Sequence, residues 1–197
     1  GASSGIGRQA AITYGKHNAN IIALGRSQGA LETLDDDLAK YNCDVSLVPF
    51  NLVQFNLIKD LEEKLSERMD HLDVLFLNAA ALGGLKPVTH IEEEEWNETF
   101  AVNLTSNVIL LKLFESYLKK TNKSQILIST SDITNQKKPF WGLYSASKAA
   151  LEQIAYSYAK EMQNTNIKVN LIDPGTVNTK LRSKAYPGED KKKITQP

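Results

Sequence analysis

In the stretch YSASK a phenol and an ammonium stand four residues apart, as Tyr144 and Lys148. On a helix that spacing places both on one face. An ammonium beside a phenol favours the phenolate and draws its pKa below the ordinary ~10, giving a proton donor or acceptor near neutral pH. Alone, the pair is more simply read as a half-buried tyrosine and a solvated lysine. The chemistry has to come from what accompanies it.

A second cluster opens the chain as GASSGIG, where Gly1, Gly5 and Gly7 spell G-x-x-x-G-x-G around Ser3, Ser4 and Ile6. A helical pattern follows at once. Glycines there permit positive φ and close approach of a ligand, and the N–H groups of the helix start point at an anion such as a dinucleotide pyrophosphate. The spacing is not the G-x-G-x-x-G of the common dinucleotide fingerprint. The strand-like NIIAL that follows the helix strengthens the reading.

These residues need elements to position them. Short apolar runs at 20–24, 44–50, 73–77, 124–130 and 167–172 read as strands, mostly continuous rather than alternating, as in a parallel sheet buried on both faces. Between them lie amphipathic stretches at 27–41, with Ser27 as cap and Leu31, Leu34 and Leu38 on one face, and at 57–69. Longer helical regions cover about 92–120 and 142–163. The alternation predicts an α/β fold, a Rossmann-type doubly wound parallel sheet with helices on both faces and right-handed crossovers. The 197 residues, without repeats or linkers, read as a single domain.

Composition narrows the partners. Lys plus Arg and Asp plus Glu both number 23, so no charge excess points to nucleic acid or an anionic membrane. No apolar run approaches the roughly 18 residues of a membrane span. Cys43 is the only cysteine, and His17, His71 and His90 lack ligand spacing, so no metal site is expected and a reducing cytoplasm is. The runs EEEE (92–95) and EDKKK (189–193) read as an exposed first helical turn and a solvated surface.

Six clusters occur in order: the opening glycines, NAA (78–80), VNLTSN (102–107), STSD (129–132), YSASK (144–148) and DPGTVNT (173–179). This series closely resembles the short-chain dehydrogenase/reductase family in its compact form, from residue 1 to about 180. The resemblance implies Tyr144 as general acid/base and Lys148 as the group that lowers its pKa and holds the nicotinamide ribose. It implies Ser131, thirteen residues before Tyr144, as the hydroxyl that polarises the substrate oxygen, with Ser129 and Thr130 as rivals. Asn103 matches the asparagine that holds a relay water. Pro174, Gly175, Val177 and Thr179 match the segment around the nicotinamide. Asn78, Ala79 and Ala80 stand for the family's N-A-G, with a methyl group at the last position. Asn51, followed by Leu52, replaces the acidic residue often found near the adenine; its amide can still donate and accept.

Cofactor choice rests on ALGRS (23–27), where Gly25 and Arg26 occupy the position of the carboxylate that binds a ribose 2′-OH in NAD sites. A guanidinium there suits a 2′-phosphate, so NADP(H) is expected over NAD(H), unless Arg26 merely lies on an exposed loop. The expected reaction interconverts a small-molecule carbonyl and alcohol. A cofactor-sensing regulator would have little reason to keep Ser131, Tyr144 and Lys148 together. A sugar-nucleotide epimerase or dehydratase would carry differently spaced glycines and a larger substrate region.

The family's central strand precedes the glycine turn, and its members continue past KKKITQP through a further helix and strand. Both are expected to be missing from this sequence. The tail LRSKAYPGED resembles that of uncharacterised bacterial oxidoreductases, implying a bacterial source but no substrate. The helices near 96–119 and 142–163 correspond to those of the family's four-helix interface, so a homodimer or homotetramer is expected. Phe140, Trp141 and Leu143 either line an apolar pocket or pack against a neighbouring helix.

Overall fold

A computed structural model describes residues 1–197. They form two compact units, one of Gly1–Asn51 with Thr176–Pro197 and one of Leu52–Gly175. All five expected strands form, each within a residue or two of its predicted place. They make two parallel sheets, of two and three strands, which share no strand.

In the first unit, β1 (Ile21–Gly25) and β2 (Val45–Pro49) run parallel, with Ile21 opposite Val45 and Gly25 opposite Pro49. Helices α1 (Gly5–Lys16) and α2 (Gln28–Leu38) cover them. The Ser27 hydroxyl accepts from the Ala30 N–H at 3.4 Å, so the predicted cap forms. Leu31, Leu34 and Leu38, three and four residues apart, are fully buried with Ala23, and Ile12 of α1 packs into the same cluster. Arg8 of α1 pairs with Asp37 of α2. From the chain's later stretch come Val177, bridged to Thr195, and α8 (Lys180–Ala185), capped by the Thr179 hydroxyl on the Arg182 N–H at 3.1 Å.

One surface expectation fails here. Glu189 is not merely solvated: Arg182 grips it with two hydrogen bonds, at 2.7 and 2.6 Å, and lays its guanidinium 3.8 Å from the centre of the Tyr186 ring. Fork geometry and stacking are what a guanidinium does well, and a charge-run reading ignores both.

The second unit is built on β3 (Val74–Leu77), β4 (Ser124–Ser129) and β5 (Ile167–Ile172), parallel and with β4 central. Around them come α3 (Ile58–Ser66), α4 (Glu93–Phe100), α5 (Ser106–Leu118), α6 (Ile133–Gln136) and α7 (Gly142–Glu161). The alternate residues Ile126 and Ile128 of β4 are fully buried, as are Leu118 of α5 and Leu151 of α7. What reads as one helix near 92–120 is interrupted by a π turn at Ala101–Thr105. The EEEE run also differs from expectation. Glu93–Glu95 do form a first helical turn, but Glu95 turns inward and pairs with Lys86 at 2.9 Å. No helix is long and apolar enough to cross a membrane.

Candidate active site

The second unit gathers most of the predicted chemistry at the C-terminal ends of its strands. Tyr144 and Lys148 lie one turn apart in α7, both buried, with the Lys148 Nζ 6.0 Å from the centre of the phenol ring. The ammonium donates to the Ser129 carbonyl at the end of β4, at 2.9 Å. Trp141, one turn before Tyr144, meets its ring edge-to-face with centroids 6.0 Å apart.

The expected depression of the tyrosine pKa does not appear. Burial, reinforced by the negative Asp173, pushes Tyr144 up to about 12. Burial also pulls Lys148 down to about 8, against the opposing charge of Glu152. Helical spacing predicted the shared face but not its depth, and desolvation outweighs a cation 6.0 Å away.

The three hydroxyls that follow one another from the end of β4 are distinguished by their partners. Ser129 donates to the Asn78 Oδ1 at 2.9 Å, and Thr130 donates to Glu152. The Ser131 hydroxyl accepts from the Ile133 N–H at 3.5 Å, which leaves its own proton available. Its loop is fastened to α7 where Ser145 donates to the Ile133 carbonyl at 3.2 Å.

Asn103 sits fully buried in the π turn, and its amide is wholly engaged as a donor. It accepts from the Ala81 N–H at 2.7 Å and donates to the Ala81 carbonyl at 2.8 Å and the Ser147 hydroxyl at 2.9 Å. Ser147 in turn donates to the Tyr144 carbonyl at 2.8 Å. Asn103 therefore joins the segment leaving β3 to the turn of α7 that presents Tyr144. No side-chain N–H is left on it for the expected relay water.

Ser147 was missed in the sequence, although it stands inside YSASK, three residues after Tyr144 and on the same side of the helix. Of the apolar trio before the tyrosine, Trp141 and Leu143 are buried as packing residues. Phe140 alone is exposed, at a φ of 71°.

The glycine turn, Arg26, Asn51, Val177 and Thr179 belong to the first unit. The start of α1 has no side-chain cap from Ser4 and no acidic residue in its first turn. Its first N–H groups thus stay available for an anion. Gly5 has a φ of 54°, and a Cβ there would come within 3.1 Å of the Thr179 methyl. Gly25 is buried, and a Cβ there would come within 3.1 Å of the Ser3 and Leu31 side chains, so any side chain at that position would be crowded. Arg26 follows it, exposed to solvent, immediately after β1. Asn51 ends this unit and Leu52 begins the other; Ala79, Ala80, Pro174 and Gly175 lie in the second unit.

Comparison with known proteins agrees with this geometry. The family model for short chain dehydrogenases matches residues 1–190. The uncharacterised oxidoreductase YciK of Escherichia coli (strain K12) is 31% identical over 203 residues, spanning 100% of this chain and 79% of that protein. A short chain dehydrogenase from Pseudomonas syringae superposes with a TM-score of 0.95 at 27% identity, covering 100% of this chain and 81% of its own. Another, from Escherichia coli CFT073 in complex with NADPH, superposes with a TM-score of 0.92 at 29% identity, covering 100% and 83%.

Proposed function

The chain belongs to the short-chain dehydrogenase family, and on that premise we propose that it is an NADP(H)-dependent oxidoreductase that interconverts a small-molecule carbonyl and an alcohol. The observation that carries this reading is the buried Tyr144–Lys148 pair on α7, with the Ser131 hydroxyl, which donates to no protein group, on the loop that Ser145 fastens to the same helix.

The residues present fit a dinucleotide. The uncapped N–H groups of α1, a glycine at positive φ where a side chain would crowd Thr179, and the absence of an acid in the first turn all suit a pyrophosphate. Arg26 would hold a 2′-phosphate, in line with the NADPH-bound relative. Lys148 would hold the nicotinamide ribose with the N–H groups not given to Ser129. Asn51, Asn78, Val177 and Thr179 would line the remainder. When bound, the cofactor supplies or accepts the hydride.

The chain's own residues handle the proton. With a pKa raised to about 12, the Tyr144 phenol is protonated at neutral pH, the form that donates to a carbonyl oxygen being reduced. Ser131 donates its free hydroxyl proton to the same oxygen and orients it. The Lys148 ammonium stabilises the phenolate left behind, because an opposite charge matters most in a dry site. Asn103 and Ser147 keep the Tyr144 turn in place. In the direction of alcohol oxidation the same groups act in reverse.

The first test is fluorescence titration of NADPH and NADH against wild type and Arg26→Ala. Losing a charge-assisted contact should weaken NADPH binding about ten- to a hundred-fold and leave NADH unchanged. Equal loss for both cofactors, or tighter NADH binding in the wild type, would overturn the NADP(H) assignment. We also place the protein in the cytoplasm, on its single cysteine, and assemble it as a homodimer or homotetramer through α4, α5 and α7, where Trp96, Val108, Ile154 and Tyr156 stand exposed.

A further inference from the structure

One carboxylate beside the proposed site is not accounted for by that reading. Glu152 lies one turn beyond Lys148 and two beyond Tyr144, so positions 144, 148 and 152 form one stripe along α7. A single oxygen of Glu152, Oε1, accepts hydrogen bonds from the hydroxyls of both Thr130 and Thr134, the latter at 3.2 Å. Those threonines bracket Ser131. The single proton of the Thr134 hydroxyl is shared between the Glu152 Oε1 and the Ser131 carbonyl, each at 3.2 Å, and the Thr134 N–H donates to the same carbonyl at 3.3 Å.

We propose that Glu152 is a positioning residue: by holding Thr130 and Thr134, it fixes the Ser131 loop against the face of α7 that carries Tyr144 and Lys148. The proposal rests on the reading of Ser131, Tyr144 and Lys148 as the reacting groups. A short loop between β4 and α6 has no regular structure to hold a hydroxyl in place. One charge-assisted bond from Thr130 and a shared one from Thr134, both to a carboxylate on the reacting helix, supply that constraint.

The same carboxylate sets the electrostatics of its stripe. The titratable groups facing Lys148 are Tyr144 and Glu152 on its own helix; β4 offers the neutral Ser129 carbonyl, and Asp173 beyond β5 acts on Tyr144. Glu152 is thus the counter-charge that opposes desolvation of the ammonium.

The experiment compares wild type, Glu152→Ala, Glu152→Gln and the double variant Thr130→Val/Thr134→Val. Three readouts apply: kcat and KM for a carbonyl panel with NADPH, hydrogen exchange of residues 130–134, and the Lys148 side-chain titration by NMR. Glu152→Ala should lower kcat about ten- to a hundred-fold with the NADPH KM unchanged, since small displacements of a reacting group cost that much. Exchange in 130–134 should rise. Glu152→Gln keeps an acceptor but no charge, so it should restore most of kcat and the exchange protection while shifting the Lys148 titration to lower pH. The threonine double variant should reproduce the loss of kcat with the Lys148 titration unmoved. A folded Glu152→Ala protein with wild-type kcat and exchange would overturn the proposal, as would a glutamine variant no better than alanine. If the wild type reduces no carbonyl, the reading of the reacting groups fails instead. Exchange in 130–134 then still decides whether Glu152 holds the loop.

Discussion

At the scale of single residues, the pair that first draws attention behaves differently from its pattern. Spacing correctly put Tyr144 and Lys148 on one face, but spacing says nothing of burial, and burial reversed the sign of the tyrosine's shift. Tyr144→Phe should cut turnover by about 10²–10⁴ while leaving NADPH binding intact, a combination that steady-state rates and titration together will reveal. Lys148 has a folded-state pKa near 8, below its unfolded value, so between roughly pH 8 and 10 the unfolded chain binds more protons and stability rises with pH. Lys148→Met lacks that dependence. Its melting temperature relative to wild type should therefore be most favourable below pH 8 and lose ground toward pH 10. A pH-independent difference would show that the ammonium is not desolvated. Ser131 was singled out by its distance from Tyr144, and its neighbours' bonds now give a physical ground for that choice. Glu152 could have been found by extending the same four-residue step once more.

Among the elements, strands were the most legible, because apolar runs such as DVLFL and SQILIST have little alternative to a parallel sheet. The Ser27 cap and the Leu31–Leu34–Leu38 stripe were equally plain. The π turn was not, since AVNLT carries no local signal of it. It is specified by what Asn103 reaches, Ala81 and Ser147, both distant in sequence. Such turns tend to occur where a side chain must be re-aimed. Asn103→Ala would leave the Ala81 N–H and carbonyl without their partners and take from the Ser147 hydroxyl the bond it accepts, and should cost about 2–4 kcal/mol in urea unfolding. A change below about 0.5 kcal/mol would mean those groups find other partners. Glu95 and Glu189 escaped the sequence reading for a related reason. Charge runs are scored residue by residue, whereas Lys86 and Arg182 select one member of each.

For the whole molecule, the formal net charge is zero, so no net charge repels one copy from another, and exposed apolar area is the feature that bears on self-assembly. Trp96, Val108, Ile154 and Tyr156 leave apolar area exposed on α4, α5 and α7. Val108→Glu/Ile154→Glu should halve the mass seen by light scattering with circular dichroism unchanged. A wild-type chain that already runs as a monomer would sink the proposed assembly. The division of the chain was the feature least visible in sequence, because one unit is discontinuous: its first stretch ends at Asn51 and its second starts at Thr176. That arrangement sets an order of events during synthesis. As the chain leaves the ribosome, residues 1–51 emerge before 52–175, yet Thr179, which packs on Gly5, emerges only after all of 52–175. The glycine turn must wait, its contacts incomplete, while the unit bearing Tyr144 is made and free to fold. A nascent chain halted before residue 176 would thus hold the proton-handling residues without a finished anion cradle.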